Sequence, residues 1–147
     1  MTVHDLDRVC ELEVEIFSSP WSRRAFESEL YADSYSRSFV VTQNRRVIAY
    51  LVYWHVSGEI HIANIAVDPK YRRRGIASWI MSKLLKSSES KGIKIVHLEV
   101  RESNLPAIAL YRKMGFRLVG KREKYYQIEN EDALLMSLEL EQNSERP

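Results

Sequence analysis

Tyr71-Arg72-Arg73-Arg74-Gly75-Ile76-Ala77 follows an apolar run at residues 62–68 and opens the most regular helical pattern in the chain. The run reads as a strand that stops at Asp68-Pro69, because Pro69 has no N–H with which to extend a ladder. A helix start leaves its first amides unpaired and carries partial positive charge. Three arginines and a glycine at that point therefore predict a turn that holds a pyrophosphate. Gly75 lets the backbone approach a ligand closely, and small Ala77 keeps the first turn open. The same arginines also fit a solvated basic run, the ordinary fate of a short charge cluster. Neither G-x-x-x-x-G-K-[ST] nor G-x-G-x-x-G occurs here, so neither a P-loop hydrolase nor a dinucleotide-binding Rossmann unit is supported.

Downstream of the turn, Ile76, Ala77, Ile80, Met81, Leu84 and Leu85 recur at helical spacing, and Gly92 after Lys91 supplies a left-handed stop. Residues 93–100 form the next strand. A helix lies between it and the strand before the turn, so the two strands pair in parallel across a crossover. Upstream, residues 47–56 and 59–67 are strands joined by a tight Ser57-Gly58 turn. Residues 39–42 form a further strand, with residues 43–46 as its turn. Residues 5–17 form an amphipathic helix through Leu6, Val9, Cys10 and Phe17, and Ser22 caps a short second helix at residues 23–31. Ser103 or Asn104 caps a last helix carrying Ile108, Tyr111 and Met114, which Gly115 terminates. Residues 116–124 and 132–140 close the chain as an antiparallel pair with a long connection. The sum is an α/β (α+β mixed) fold with a mostly antiparallel sheet and helices on both faces. Residues 1–140 are read as one domain and residues 141–147 as a polar tail.

The 147 residues suffice for a hydrophobic core, and 45% hydrophobic with 29% charged residues fits an ordinary soluble protein. A net charge of +2 gives no global field for nucleic acid; the basic character is local. Cys10 alone excludes an internal disulfide and is expected to be a buried structural thiol. His4, His55, His61 and His97 show no metal-ligand spacing, and no metal is expected. No apolar run is long enough to span a bilayer and no signal-peptide pattern is seen, so the expected location is the cytoplasm, away from membranes.

Two side chains stand out for chemistry. Glu99 shares a strand face with Ile95 and His97. It is either a carboxylate paired with an arginine such as Arg101 or Arg117, or a partly desolvated general base. Tyr111 lies on the core stripe of its helix, where packing is the default role. Its phenol is equally able to donate a proton at neutral pH.

Arg72-Arg73-Arg74-Gly75-Ile76-Ala77 resembles the Q/R-x-x-G-x-G/A motif of the GNAT superfamily of N-acetyltransferases. The likeness continues through Leu98-Glu99-Val100-Arg101-Glu102-Ser103-Asn104, through residues 107–116, and through Tyr125-Tyr126 with residues 131–136. With Phe17-Ser18-Ser19-Pro20-Trp21-Ser22, the chain is similar to the RimI-type protein N-terminal acetyltransferases over about residues 5–140. The resemblance implies a GNAT fold of six to seven strands and acetyl-CoA as co-substrate. It puts the pyrophosphate on Arg72, Arg73, Arg74, Gly75, Ile76 and Ala77, and the pantetheine arm along Ile65, Ala66 and Val67. Asn104 would touch the same ligand. Glu99 would be the general base, acting through water, and Tyr111 the general acid, also against the cofactor. Phe17, Pro20, Trp21, Tyr125 and Tyr126 would wall a peptide channel. Glu13 would either hold amides of the loop at residues 18–20, the reading preferred, or help recognise the peptide.

The implied substrate is a protein N-terminus beginning with alanine, as in a small-subunit ribosomal protein, with no direct nucleic-acid contact and a monomer or weak dimer as the assembly. Archaeal N-terminal acetyltransferases of broader range share most of these motifs. Two departures stand out: no strand precedes the first helix, and Gln127 follows Tyr126 where the family usually has proline. Acetylation of a small amine or antibiotic is the alternative within the same chemistry. A non-catalytic CoA-binding or RNA-binding module is the alternative outside it.

Overall fold

The computed structural model describes residues 1–126 and 130–142, and these fall into two compact units. The first comprises Met1–His55 with Ile62–Met81, the second Val56–His61 with residues 82–147. Among the described residues, six strands lie in the sheet order Ser36–Gln43, Arg46–Val56, Glu59–Val67, Ile95–Arg101, Glu131–Glu139 and Arg117–Tyr126, with four α-helices.

In the first unit, α1 (Leu6–Ile16) and α2 (Arg23–Tyr31) precede β1 (Ser36–Gln43), β2 (Arg46–Val56) and β3 (Glu59–Val67). Ser22 caps α2 through the Ala25 amide at 3.1 Å, as its sequence predicts. Leu6, Val9 and Leu12 of α1 recur at helical spacing and pack with Phe26 of α2 onto Val47, Tyr50, Val52 and Ala66. Every residue of β2 from Val47 to Tyr53 is buried, so both of its faces are covered. β1 starts at Ser36, three residues earlier than the apolar pattern implies, because Ser36 is buried with its hydroxyl donating to Glu29 at 2.6 Å. Cys10 is only partly buried and lines an open cleft with Asp7, Glu11, Val14, Glu15 and Arg23, contrary to the buried thiol expected. Burial still pushes its thiol pKa up, against the pull of Arg23. Among the described residues no strand precedes α1, only a 3-10 turn, and the Met1 amine donates to the Ser38 carbonyl of β1 at 3.0 Å.

A second 3-10 turn, Pro69–Tyr71, separates β3 from the arginine loop, and α3 (Ile76–Ser90) follows. The second unit continues with β4 (Ile95–Arg101), α4 (Leu105–Lys113), β5 (Arg117–Tyr126) and β6 (Glu131–Glu139). β4 pairs in parallel with β3, as the crossover argument requires. The recorded ladder covers Glu59–His61 against Ile95, Val96 and His97; beyond it β3 runs on to Val67 and β4 to Arg101. β4 alternates cleanly: Val96, Leu98 and Val100 are buried, while Ile95, His97 and Glu99 lie on the other face. Asn104, not Ser103, caps α4, through the Ala107 amide at 3.3 Å. Ile108 and Tyr111 face the core, with the Phe116 ring 5.8 Å from that of Tyr111.

The closing pair differs from expectation in one respect. β5 runs to Tyr126, so Tyr125 and Tyr126 belong to a strand and not to a loop. Tyr126 still pairs with Glu131 across a register shift. Gln127 and residues 143–147 of the expected tail at residues 141–147 lie outside the described residues.

Candidate active site

The arginine loop is built to present amides. Arg73 and Gly75 both have positive φ, 62° and 73°, a conformation that costs a side-chain-bearing residue energy and glycine none. The Gly75 carbonyl accepts the first helical bond of α3, from the Trp79 amide at 2.9 Å, so Gly75 is the N-cap residue. Ser22 and Asn104 spend a side-chain oxygen on an amide of their helices; Gly75 has none to spend. The first-turn amides of Ile76, Ala77 and Ser78 thus have no side-chain cap from Gly75, as a helix N-terminus suited to an anion requires. A Cβ at Gly75 would meet nothing within 4 Å, so the glycine serves the backbone turn and not internal packing. Arg74 stacks over Tyr71 at 5.0 Å, while Arg72 and Arg73 are exposed. Asp68 anchors the turn from behind: buried to 2% exposure, it accepts from the Lys70 amide and from Arg8 at 2.6 Å. Sequence reasoning missed that pair, since Arg8 lies 60 residues away. Gly75→Val keeps the charges but forces a β-branched residue into a left-handed turn. It is expected to weaken acetyl-CoA binding at least ~10-fold by calorimetry, on the order of 1.4 kcal/mol.

Ile65, Ala66 and Val67 end β3 just before that turn. Ala66 joins the core under α1, and Ile65 and Val67 are half-buried on the opposite face. Phe17 and Trp21 pack against the same core, and Pro20 is exposed. Glu13 lies beneath them, 1% exposed. It accepts from the Trp21 amide at 3.0 Å, from Asn64 Nδ2 at 3.0 Å and from the Tyr50 hydroxyl. Of the two roles open to Glu13, holding the loop is the one observed, though the amide it holds is that of Trp21. Burial, followed by the Glu13 charge, drives the Tyr50 phenol far above its ordinary pKa, so it is a fixed donor.

In the second unit, Glu99 sits on the exposed face of β4, opposite Leu135 of β6. Among the described residues its ion-pair partner is Arg122 at 3.1 Å, not Arg101 or Arg117, and the carboxylate side chain keeps 32% exposure, partly open to water. Arg122 was hidden because its proximity depends on the register of β5 against β6. Arg101 instead stacks on Tyr126 at 4.1 Å, and Arg122 also lies over Tyr125 at 5.2 Å. Tyr125 and Tyr126 pack edge to face at 5.3 Å. Tyr111 is buried to 7% exposure, and among the described residues its hydroxyl has no hydrogen-bond partner. Burial first, then the neighbouring Tyr126 hydroxyl, pushes its pKa up to about 12. A buried hydroxyl left unpaired is rare where packing is the only role. Asn104 uses Oδ1 as the α4 cap, which leaves its Nδ2 donors for a ligand. The expected residues thus divide by unit: the loop, Ile65 to Val67, Phe17, Pro20 and Trp21 in one, and Glu99, Asn104, Tyr111, Tyr125 and Tyr126 in the other.

The chain is similar to known proteins along most of its length. A model of the acetyltransferase (GNAT) family matches residues 6–116. The ribosomal protein bS18-alanine N-acetyltransferase of Escherichia coli K12 is 36% identical over 136 residues, 91% of this chain and 90% of that protein. The N-alpha-acetyltransferase RimI of Mycobacterium tuberculosis is 33% identical over 142 residues, 92% of this chain and 87% of that one. A crystal structure of the ribosomal-protein-S18-alanine N-acetyltransferase from Escherichia coli superposes with a TM-score of 0.90 at 33% identity, covering 100% of this chain and 95% of that chain. Matched by that family model over residues 6–116 and by relatives above 30% identity over most of its length, this chain belongs to the acetyltransferase (GNAT) family.

Proposed function

We propose that this chain transfers the acetyl group of acetyl-CoA to the α-amine of a protein N-terminus, with an alanine-initiated chain such as ribosomal protein bS18 as its substrate. The observation that carries the reading is the N-terminus of α3 at Gly75, capped without a side chain, preceded by three arginines and backed by the Asp68–Arg8 pair. Such a turn fits the diphosphate of acetyl-CoA, and relatives above 30% identity along nearly the whole chain bear names with this activity. No described helix is long and apolar enough to cross a membrane, and a cytoplasmic site of action fits a ribosomal substrate.

Acetyl-CoA, when bound, supplies the acetyl group as an activated thioester. The chain's residues bind, orient and move protons. Amides of Arg73 to Ala77 and the arginine charges hold the diphosphate, with Asn104 as a further donor. Backbone donors along Ile65, Ala66 and Val67 orient the pantetheine arm and stabilise charge developing on the carbonyl oxygen. An α-amine of pKa ≈ 8 is mostly protonated at neutral pH, so a base must take its proton; Glu99, open to water, does so through a water molecule. Tyr111 returns a proton to the departing sulfur. Phe17, Pro20 and Trp21, with Tyr125 and Tyr126, contact the peptide.

A panel of Ala-, Ser- and Met-initiated peptides with small amines, assayed for CoA release, tests the reading. Turnover on Ala-initiated peptides, with at least ~10-fold lower kcat/KM for small amines, is the expected result. Preference for a small amine refutes the substrate class. Failure to bind acetyl-CoA at all refutes the whole reading, and steeply salt-dependent RNA binding by the same arginines would replace it.

A further inference from the structure

We propose that Glu59, His61 and His97 form a binding site for a divalent transition-metal cation of the zinc class, on the sheet face where β3 and β4 run parallel. All three residues belong to the second unit. The parallel register sets His61 directly beside His97, and Glu59 lies two residues before His61 on the same face. No spacing in the sequence betrays this, because the two histidines are 36 positions apart and meet only through strand pairing.

The geometry is near what a cation needs. Glu59 Oε2 lies 3.1 Å from His97 Nε2 and 3.6 Å from His61 Nε2, and one ligand atom from each residue falls within 4.8 Å of the others. Tetrahedral zinc with bonds of 2.0–2.1 Å places its donors about 3.3 Å apart, and the two carboxylate distances straddle that value. The imidazoles stack with centroids 4.8 Å apart, so two ring nitrogens converge on one carboxylate oxygen. The outer partner needed to orient a ligating histidine is also present. His97 Nδ1 is 2.7 Å from the hydroxyl of Ser137, which is buried to 8% exposure. With Nδ1–H donated to that hydroxyl, Nε2 carries a lone pair toward Glu59. Two imidazoles and a carboxylate are a borderline set that suits zinc over magnesium or calcium. Side-chain exposures of 44% for Glu59, 44% for His61 and 30% for His97 leave room for entry and for water as the fourth ligand. The inference does not rest on the acetyltransferase reading.

The test uses the full chain without an affinity tag, stripped with chelator, then titrated with Zn2+ against a chromophoric chelator and with Co2+ for visible absorption. Expected are one equivalent of Zn2+ bound, Co2+ bands of tetrahedral intensity, and a rise in Tm with Zn2+. His61→Gln and Glu59→Gln should each weaken binding at least ~10-fold and abolish the Tm rise, while His4→Gln and His55→Gln change neither. Both site variants are partly exposed, so the test stands even if His97→Gln fails to fold. Absence of saturable binding overturns the proposal, leaving a hydrogen-bonded His–Glu–His cluster. Binding that survives His61→Gln and Glu59→Gln, or that follows Cys10→Ser, overturns it equally.

Discussion

Tyr111→Phe and Glu99→Gln are each expected to lower turnover on an Ala-initiated peptide at least ~10-fold at pH 7, within the usual range of a lost acid or base. The two losses should differ in pH dependence. Removing Glu99 leaves the amine to shed its own proton, so the deficit shrinks as pH rises past the amine pKa of about 8. Removing Tyr111 gives a deficit that stays flat, because a phenol held at about 12 keeps its proton at every workable pH. No alkaline fall in the wild-type rate below pH ~11 should trace to Tyr111, since only its neutral form donates. Arg122→Ala serves as the control, because it removes the ion-pair partner of Glu99 without touching the carboxylate. Unchanged rates in both primary variants would remove both assignments. A Glu99→Gln deficit that does not narrow toward pH 9 would leave Glu99 a positioning residue.

What was readable in advance follows from distance along the chain. The Ser22 cap, α2, the Asn44-Arg45 and Ser57-Gly58 turns and the left-handed Gly92 stop depend on neighbours a few residues away, and each occurs where its local chemistry puts it. The parallel β3–β4 pair also followed, because a helix between two strands permits little else. Strand register did not follow. Arg122 rather than Arg117 meets Glu99 because β5 slips against β6 between Leu118 and Gly120, and a slip of one residue exchanges the faces of a strand. The same blindness hid His61 beside His97. It also assigned Tyr125 and Tyr126 to a loop, since nothing local marks where β5 ends. At the arginine loop the turn follows from local chemistry, since Gly75 caps α3 without a side chain and positive φ at Arg73 and Gly75 sets the bend.

The largest effect on stability is expected at Glu13, and it reaches function through the loop that Glu13 holds. A carboxylate at 1% exposure is tolerable only because three donors surround it: the Tyr50 hydroxyl, Asn64 Nδ2 and the Trp21 amide. They come from β2, β3 and the segment before α2, so one side chain ties together elements up to 51 residues apart. Glu13→Ala removes the shared acceptor and strands all three donors in the core. Each unpaired donor costs about 1–3 kcal/mol, and partial relaxation brings the expected total to about 3–5 kcal/mol, or roughly 10–16 °C in Tm. Glu13→Gln keeps one acceptor but turns an NH2 toward the donors, so about half that loss is expected. Tyr50→Phe alone should cost less than Glu13→Ala. Combined with Glu13→Ala it should cost less than the sum, because the phenol's partner is already gone. Urea unfolding of the four proteins measures this directly. Additive losses, or a Glu13→Ala loss under ~1 kcal/mol, would mean the cluster is not held as a unit. With Trp21 held less firmly, the peptide KM of Glu13→Gln should rise more than its kcat falls, since the proposed mechanism gives substrate binding to the loop and proton transfer to Glu99 and Tyr111.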